Sequence, residues 1–281
     1  MERRWEELEI DCLVNVFERL EIQDLTLGVP FVCKSWYQAS LHPHCWKSLN
    51  LGSLNFGPYS PFVEKFKLWY HIDCFSFTGF LKFAINRSHK SVIDLLLPRS
   101  CTLANLIYLS NECPCLKILG LPFLLLEEEN ISLPTFDGDE VKNLVPGLVA
   151  KWKDLERLHI KETPCYFKEI LHEISRHCKS FVGLKKSGYI DREEALAIVN
   201  CLPKLKYLKV TCAYMPRKNF LMILKGCKEL EELVVKDCCG FKVDEEILKL
   251  TSHIKIFEYE DVRVELDDWF YEAGRRLALQ C

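Results

Sequence analysis

The apolar positions of this chain fall into one pattern many times over: apolar-x-x-apolar-x-apolar. It reads VIDLLL from Val92, LKILGL from Leu116, LERLHI from Leu155, LKYLKV from Leu205 and LEELVV from Leu230. IKIFEY from Ile254 fits as well, and FVGLKK from Phe181 fits in part. These starts advance by 24, 39, 26, 24, 25 and 24 residues, a nearly constant step interrupted once. Alternation inside the unit puts Leu208 with Val210, and Leu233 with Val235, on one face of a short strand. Between the strands, REEALAIVNCL repeats its apolar residues at helical spacing (Ala195, Ile198, Val199, Leu202). KNFLMILKGC does the same with Phe220, Leu221, Ile223 and Leu224. A strand and a helix at this period predict an α/β solenoid in which each unit buries its apolar face on the next.

The period and the strand pattern are those of a leucine-rich repeat. Cys113, Cys178 and Cys227 each stand three residues before the first apolar position of a unit, and Cys201 stands four before Leu205. The units therefore resemble the cysteine-containing subclass of these repeats, with small thiols where helix turns into strand. The long step contains EEENISLPTFDGDE, Glu127 to Glu140, whose six carboxylates and lack of basic residues predict a solvated inserted loop. NFGPYSP, Asn55 to Pro61, is an irregular connection before FKLWYHIDCFSFTGFLKFAINRS, read as the first solenoid helix and its approach.

The first fifty residues are of another kind. DCLVNVFERL places Cys12, Leu13, Val16, Phe17 and Leu20 on one helical face, with Glu9 and Asp11 at the favourable end of the helix dipole. IQDLTLGV supplies a short second helix that Asp24 can cap. Pro30 suits the start of a third helix, on which Phe31, Val32, Ser35, Trp36 and Ala39 share a face. Three helices this short bury little surface alone, so their apolar faces call for a partner or for the adjoining solenoid.

Composition changes this picture in two ways. The net charge is −3, from 37 basic and 40 acidic residues, and no block of Lys and Arg occurs, which argues against nucleic acid as partner. Fifteen cysteines, an odd number, follow an opening MERRWEELEIDC that has charges where a secretion signal needs an apolar core. The expectation is a protein of the nucleus or cytoplasm with free thiols in its interior. No apolar run reaches the roughly 18 to 20 residues that span a bilayer, so no membrane association is expected.

The N-terminal residues also carry a resemblance. The run from Leu8 to Leu20, then Asp24-Leu25, VCKSW from Val32 to Trp36 and the closing Trp46 look like an F-box. Followed by leucine-rich repeats, the chain resembles the F-box/LRR proteins of plants, with an F-box over 1–50 and about seven repeats over 51–281. It departs from the usual Leu-Pro opening, because Leu8 is followed by Glu9. The resemblance implies a non-catalytic substrate receptor of a Skp–cullin–F-box ubiquitin ligase. The F-box would bind a Skp-type adaptor, and through it a cullin, while the repeats hold a protein substrate.

Adaptor contacts carried over by the resemblance are Leu8, Leu13, Val16, Phe17, Leu20, Leu25, Val32 and Trp36. Positions 3 and 5 of each repeat should point away from the core and line a concave surface of parallel strands. That assigns substrate binding to Arg157, His159, Lys185, Tyr207, Lys209, Glu232 and Glu258, with Val234 and Ile256 on the same face. Its middle repeats are basic and its last ones acidic. The alternatives are a repeat scaffold whose F-box acts outside ubiquitination, and a small-molecule receptor, which in the family has a longer solenoid.

Other chemistry is weaker. Cys33, His42, His44 and Cys45 lack the spacing of a structural zinc site, and no C-x-x-C occurs in the chain. In HEISRH the two histidines, His172 and His177, are five residues apart, about 140° around a helix, and cannot share a metal. Neither metal nor cofactor is expected, and no phosphate-binding or nucleophile motif suggests an enzyme.

Overall fold

The computed structural model describes residues 8–122, 138–161 and 166–263. They divide between two compact units, Met1–Pro122 and Phe123–Cys281. The expected acidic insertion over 127–140 falls almost wholly outside the described residues.

In the first unit, helices α1 (Ile10–Phe17), α2 (Ile22–Leu27) and α3 (Lys34–Ser40) precede strand β1 (Ser48–Asn50). Helices α4 (Pro61–Tyr70) and α5 (Phe77–Arg87) follow, then β2 (Asp94–Leu96), α6 (Leu103–Glu112) and β3 (Ile118–Leu121). The three strands pair in parallel, with Leu49, Leu95 and Leu119 in register and all fully buried. Thr102 and Asn105 cap α6 reciprocally, which satisfies two amide groups that no helical carbonyl can reach.

The second unit contains α7 (Gly138–Val149), β4 (Arg157–Ile160), α8 (Phe167–His177), β5 (Gly183–Tyr189) and α9 (Arg192–Cys201). It continues with β6 (Tyr207–Tyr214), α10 (Arg217–Gly226), β7 (Glu232–Cys239), α11 (Glu245–Thr251) and β8 (Ile256–Arg263). Its strands pair in sequence order and in parallel, Leu158, Leu184, Leu208 and Leu233 forming one buried row. Each strand from β2 on begins two residues after the start of its sequence pattern, so the period is a structural unit. A strand and helix at each step is the arrangement of a leucine-rich repeat solenoid. Asp191 and Asp244 accept from the amides of Glu194 and Ile247 at 2.7 and 3.0 Å, fixing where α9 and α11 start.

The turn cysteines tie one repeat to the one before. Cys178 Sγ donates to the Trp152 carbonyl at 3.3 Å, and Cys227 Sγ to that of Leu202 at 3.8 Å. Burial pushes both thiols up to about 11, so they act as small apolar groups with a weak donor. A second periodic feature has no signal in the hydrophobic pattern. Cys212, Asp237 and Asp261 are each the sixth residue of their strand, have φ of 49°, 53° and 48°, and are skipped by the ladder. They stand opposite one another on β6, β7 and β8, and the register on either side of them is unchanged.

Three local expectations are corrected. The predicted third helix breaks at Cys33, whose extended backbone (φ −160°, ψ 174°) separates a short 3-10 turn, Val29–Phe31, from α3. Pro30 starts that turn rather than α3, so Phe31 and Val32 leave the face predicted for them. Asp24 lies inside the first turn of α2, whose N-cap is Glu21 without a side-chain bond. The single helix expected after Pro61 is two, because His71 ends α4 in a left-handed conformation (φ 51°) and Ser76 caps a new start.

Candidate protein-interaction surfaces

The small N-terminal helices have a filled interior and an apolar exterior. Leu13, Val14 and Phe17 turn inward from α1 and meet Leu25 and Ala39, all buried. Trp36 rests edge-on against Phe17 with ring centroids 5.2 Å apart. Trp46 is buried, and its Nε1 donates to the Ser40 carbonyl at 2.7 Å. Helices α4 and α5 brace the group from outside. Tyr70 donates its hydroxyl to the Thr26 carbonyl at 2.9 Å, and the Phe31 ring stands edge-on to Trp69 at 4.4 Å. Arg87 lies 4.3 Å from the Phe83 ring and 5.2 Å from that of Trp46.

Outside this interior, Val16 is 45% exposed, Val32 54% and Tyr37 47%. Leu8, Ile10, Phe31 and Leu41 are exposed as well. Seven large apolar side chains are thus left exposed on a small body, more than scattered surface residues account for.

The second surface is the outward face of β4 to β8. One row runs Arg157, Gly183, Tyr207, Glu232, Ile256, and the next runs His159, Lys185, Lys209, Val234, Glu258. The alternate residues of β4 to β7 are the buried core, except that Lys186 stands inward between Ile160 and Val210; on β8, Phe257 is half-buried and Tyr259 exposed. Its ammonium is fully buried, 3.5 Å from Glu194 Oε2, and donates to the carbonyls of Tyr189 at 3.0 Å and Ser187 at 3.3 Å. Burial pulls its pKa down, against the attraction of Glu194.

Positive charge crowds the outward rows of β4 to β6. His159 is held down to about 4 by burial and then by Lys185, Arg157 and Lys209, so it is neutral at pH 7. Lys185 is lowered by burial and by Lys209 and Lys161. Toward β8 the sign changes: Lys236 lies 3.6 Å from Glu258 and 3.4 Å from Glu260.

A sequence profile of the F-box domain matches residues 5–48. The chain carries an F-box at its N-terminus. Relatives over most of its length are F-box proteins of Arabidopsis thaliana. The F-box/LRR-repeat protein At3g48880 is 29% identical over 235 residues, 82% of this chain and 71% of the relative. F-box protein FBW2 is 26% identical over 267 residues, 88% of this chain and 72% of its own. F-box protein SKIP1 is 24% identical over 258 residues, 83% and 79% of the two chains.

Within the F-box the eight expected adaptor contacts separate by depth. Leu8, Val16 and Val32 are exposed, and Leu20 and Trp36 are half-buried. Leu13, Phe17 and Leu25 are at most 2% exposed and lie in the interior of the three-helix group. Ile10, Phe31 and Tyr37 join the exposed set. The spacing put Phe31 on a helix face shared with Val32, Ser35, Trp36 and Ala39, and the break at Cys33 takes it off that helix. Glu9, which follows Leu8 where the F-box pattern usually has proline, has φ −56°, inside the range a proline ring imposes.

The seven candidate residues of the strand face all stand on the two outward rows. Tyr207, His159, Lys185 and Glu232 are half-buried there, and Arg157, Lys209 and Glu258 are exposed. Val234, on the same row, is covered by its neighbours to 5%. The Cys and His residues near Trp46 are used locally: Cys45 Sγ donates to the Ala39 carbonyl at 3.5 Å, and His42 Nδ1 accepts from the His44 amide at 3.3 Å. Among the described residues no group of three or more His, Cys, Asp or Glu is placed to hold a metal ion. No described helix is long and apolar enough to cross a membrane.

Proposed function

We propose that this protein is the substrate-recognition subunit of a Skp–cullin–F-box ubiquitin ligase, acting in the nucleus or cytoplasm. The observation that carries the reading is the exposed apolar set Val16, Phe31, Val32 and Tyr37 on a matched F-box whose own core is complete without them. A Skp-type adaptor would cover that set and link the chain to a cullin. The outward strand face, with Arg157, His159, Lys185, Tyr207, Lys209, Glu232 and Glu258, would hold the protein to be ubiquitinated. The chain itself would do no bond chemistry; it would raise the effective concentration of substrate lysines near a conjugating enzyme.

The test is affinity purification of the full chain under proteasome inhibition, beside a Val16→Glu/Val32→Glu variant. The wild type should retain adaptor and cullin, and the variant should lose both while keeping proteins held by the repeats. Absence of any Skp-type adaptor from the wild-type sample would overturn the reading.

A further inference from the structure

The basic part of the strand face gathers four cations close enough to act on one another and on His159. Arg157, Lys161, Lys185 and Lys209 make no ion pair with any described residue, whereas several other cations of the same unit are paired. Lys168 pairs with Glu193, Lys206 with Glu231, and Arg217 with Asp244 and Glu246. Even on the same face, Lys236 is neutralised by Glu258 and Glu260. Holding like charges together without counterions costs free energy, which an arriving anionic partner recovers.

The layout of the charges says what kind of anion fits. Lys185 and Lys209 are in-register neighbours on adjacent strands, and Arg157 on β4 and Lys161 just beyond its end stand two residues to either side of His159. Lys185 and Lys209 are thus about 5 Å apart across strands, and Arg157 and Lys161, four residues apart, are about 13 Å apart along the chain. They are spread over three strands and do not converge on a point, as donors around a single phosphate do. The span suits carboxylates distributed along an extended chain, whose same-side residues recur about every 7 Å and so meet the Arg157–Lys161 interval at every second one. Tyr207 adds an apolar platform inside the patch, its ring held by Arg157 at 4.6 Å.

We infer that the outward face of β4 to β6 binds an acidic, extended protein segment rich in Asp and Glu, with Arg157, Lys161, Lys185 and Lys209 as its cationic contacts. This rests on the reading of the strand face as the place where the captured protein is held, and it names the chemical class of what is captured. The acidic end at Glu232 and Glu258 sets the direction of selection, because it repels the same segment if it slides toward β8.

The test uses the full chain and a fluorescein-labelled peptide of alternating Glu and Ser, about twelve residues long, followed by fluorescence anisotropy. Matching peptides of Gln–Ser and Lys–Ser are the controls. At about 50 mM salt the Glu peptide should bind at least about tenfold more tightly than the Gln peptide, and about 300 mM salt should remove most of that difference. Lys185→Glu/Lys209→Glu should abolish the preference with an unchanged melting temperature. Lys185→Gln/Lys209→Gln should reduce it, and serves if the reversal misfolds. Equal binding of the Glu and Gln peptides, or an unreduced preference in the variants, overturns the inference. Displacement of the Glu peptide by a few millimolar inorganic phosphate also overturns it, in favour of a phosphate-bearing partner. Adaptor capture by the same preparations is a separate readout: its loss with peptide binding intact refutes the ligase reading alone, and the converse refutes this inference alone.

Discussion

The Arg157 guanidinium lies 4.6 Å from the centre of the Tyr207 ring, two strands away, across Gly183. A Cβ on Gly183 would meet Arg157 Cγ at 2.8 Å, so the missing side chain is what lets the arginine cross. Gly183→Ala should displace Arg157 and cost about 1 kcal/mol, the scale of one half-exposed cation–π contact. Denaturant unfolding of Gly183→Ala, Tyr207→Leu and the double variant checks this. The double variant should lose less than the sum of the singles, because both remove the same contact.

The F-box residues should divide by depth in the same kind of experiment. Leu13→Ala removes a side chain that is 1% exposed and should destabilise the protein by about 2–4 kcal/mol. Val32→Glu, at 54% exposure, should change stability by less than about 0.5 kcal/mol and abolish adaptor capture. Thermal melts beside pull-downs separate the two effects.

Lys186 and Glu194 form a buried pair at the one inward strand position where the neighbouring repeats have Ile160 and Val210. Glu194→Ala leaves a buried ammonium without its carboxylate and should cost about 3 kcal/mol. Lys186→Met/Glu194→Leu should restore wild-type stability or exceed it, because the pair is costly to desolvate. A destabilised double variant would mean the pair does more than fill the core.

His159 makes stability depend on pH. Its folded pKa of about 4 lies below the ordinary value near 6.5, so the unfolded chain takes up the proton first. Its contribution is therefore complete above pH 6.5 and is lost as pH falls toward 4. The groups facing it are Arg157 on its own strand, Lys185 on β5 and Lys209 on β6. His159→Gln should flatten the wild-type decline between those values by about 1 kcal/mol, a figure reduced for solvent screening at a half-exposed site. Urea midpoints at pH 7.5 and pH 4.5, compared between wild type and variant, measure it.

Glu9 offers a test of the F-box opening. With φ at −56°, Glu9→Pro meets no backbone conflict at that angle and should stabilise the fold by about 0.5 kcal/mol through the unfolded chain. Adaptor affinity should stay within about threefold of wild type, since the turn is already formed. A large gain in affinity would show that the proline itself is read by the adaptor.

The repeats were legible in the sequence because each unit repeats the same burial problem, and alternation fixes both the strand and its inward rows. The outward rows followed from the same alternation, so every candidate substrate residue stands where the pattern put it. Lys186 explains why FVGLKK matched only in part: a lysine occupies a core position, compensated by Glu194 on a helix that the strand pattern does not report. The depth of the F-box residues was not legible. Leu13 and Val16 are both apolar and three apart on α1, and only the packing of α3 decides that one is covered and the other exposed. The aligned left-handed residues Cys212, Asp237 and Asp261 left no trace, because left-handed backbone there uses residues other than glycine.

The most direct measurement is calorimetric titration of a recombinant Skp-type adaptor into the full chain and into the Val16→Glu/Val32→Glu variant. The wild type should bind one adaptor per chain with a Kd in the submicromolar range, about −8 kcal/mol or tighter, and the folded variant should show no heat of binding. Wild-type protein that melts cooperatively yet gives no binding heat with any Skp-type adaptor would contradict the account at its centre.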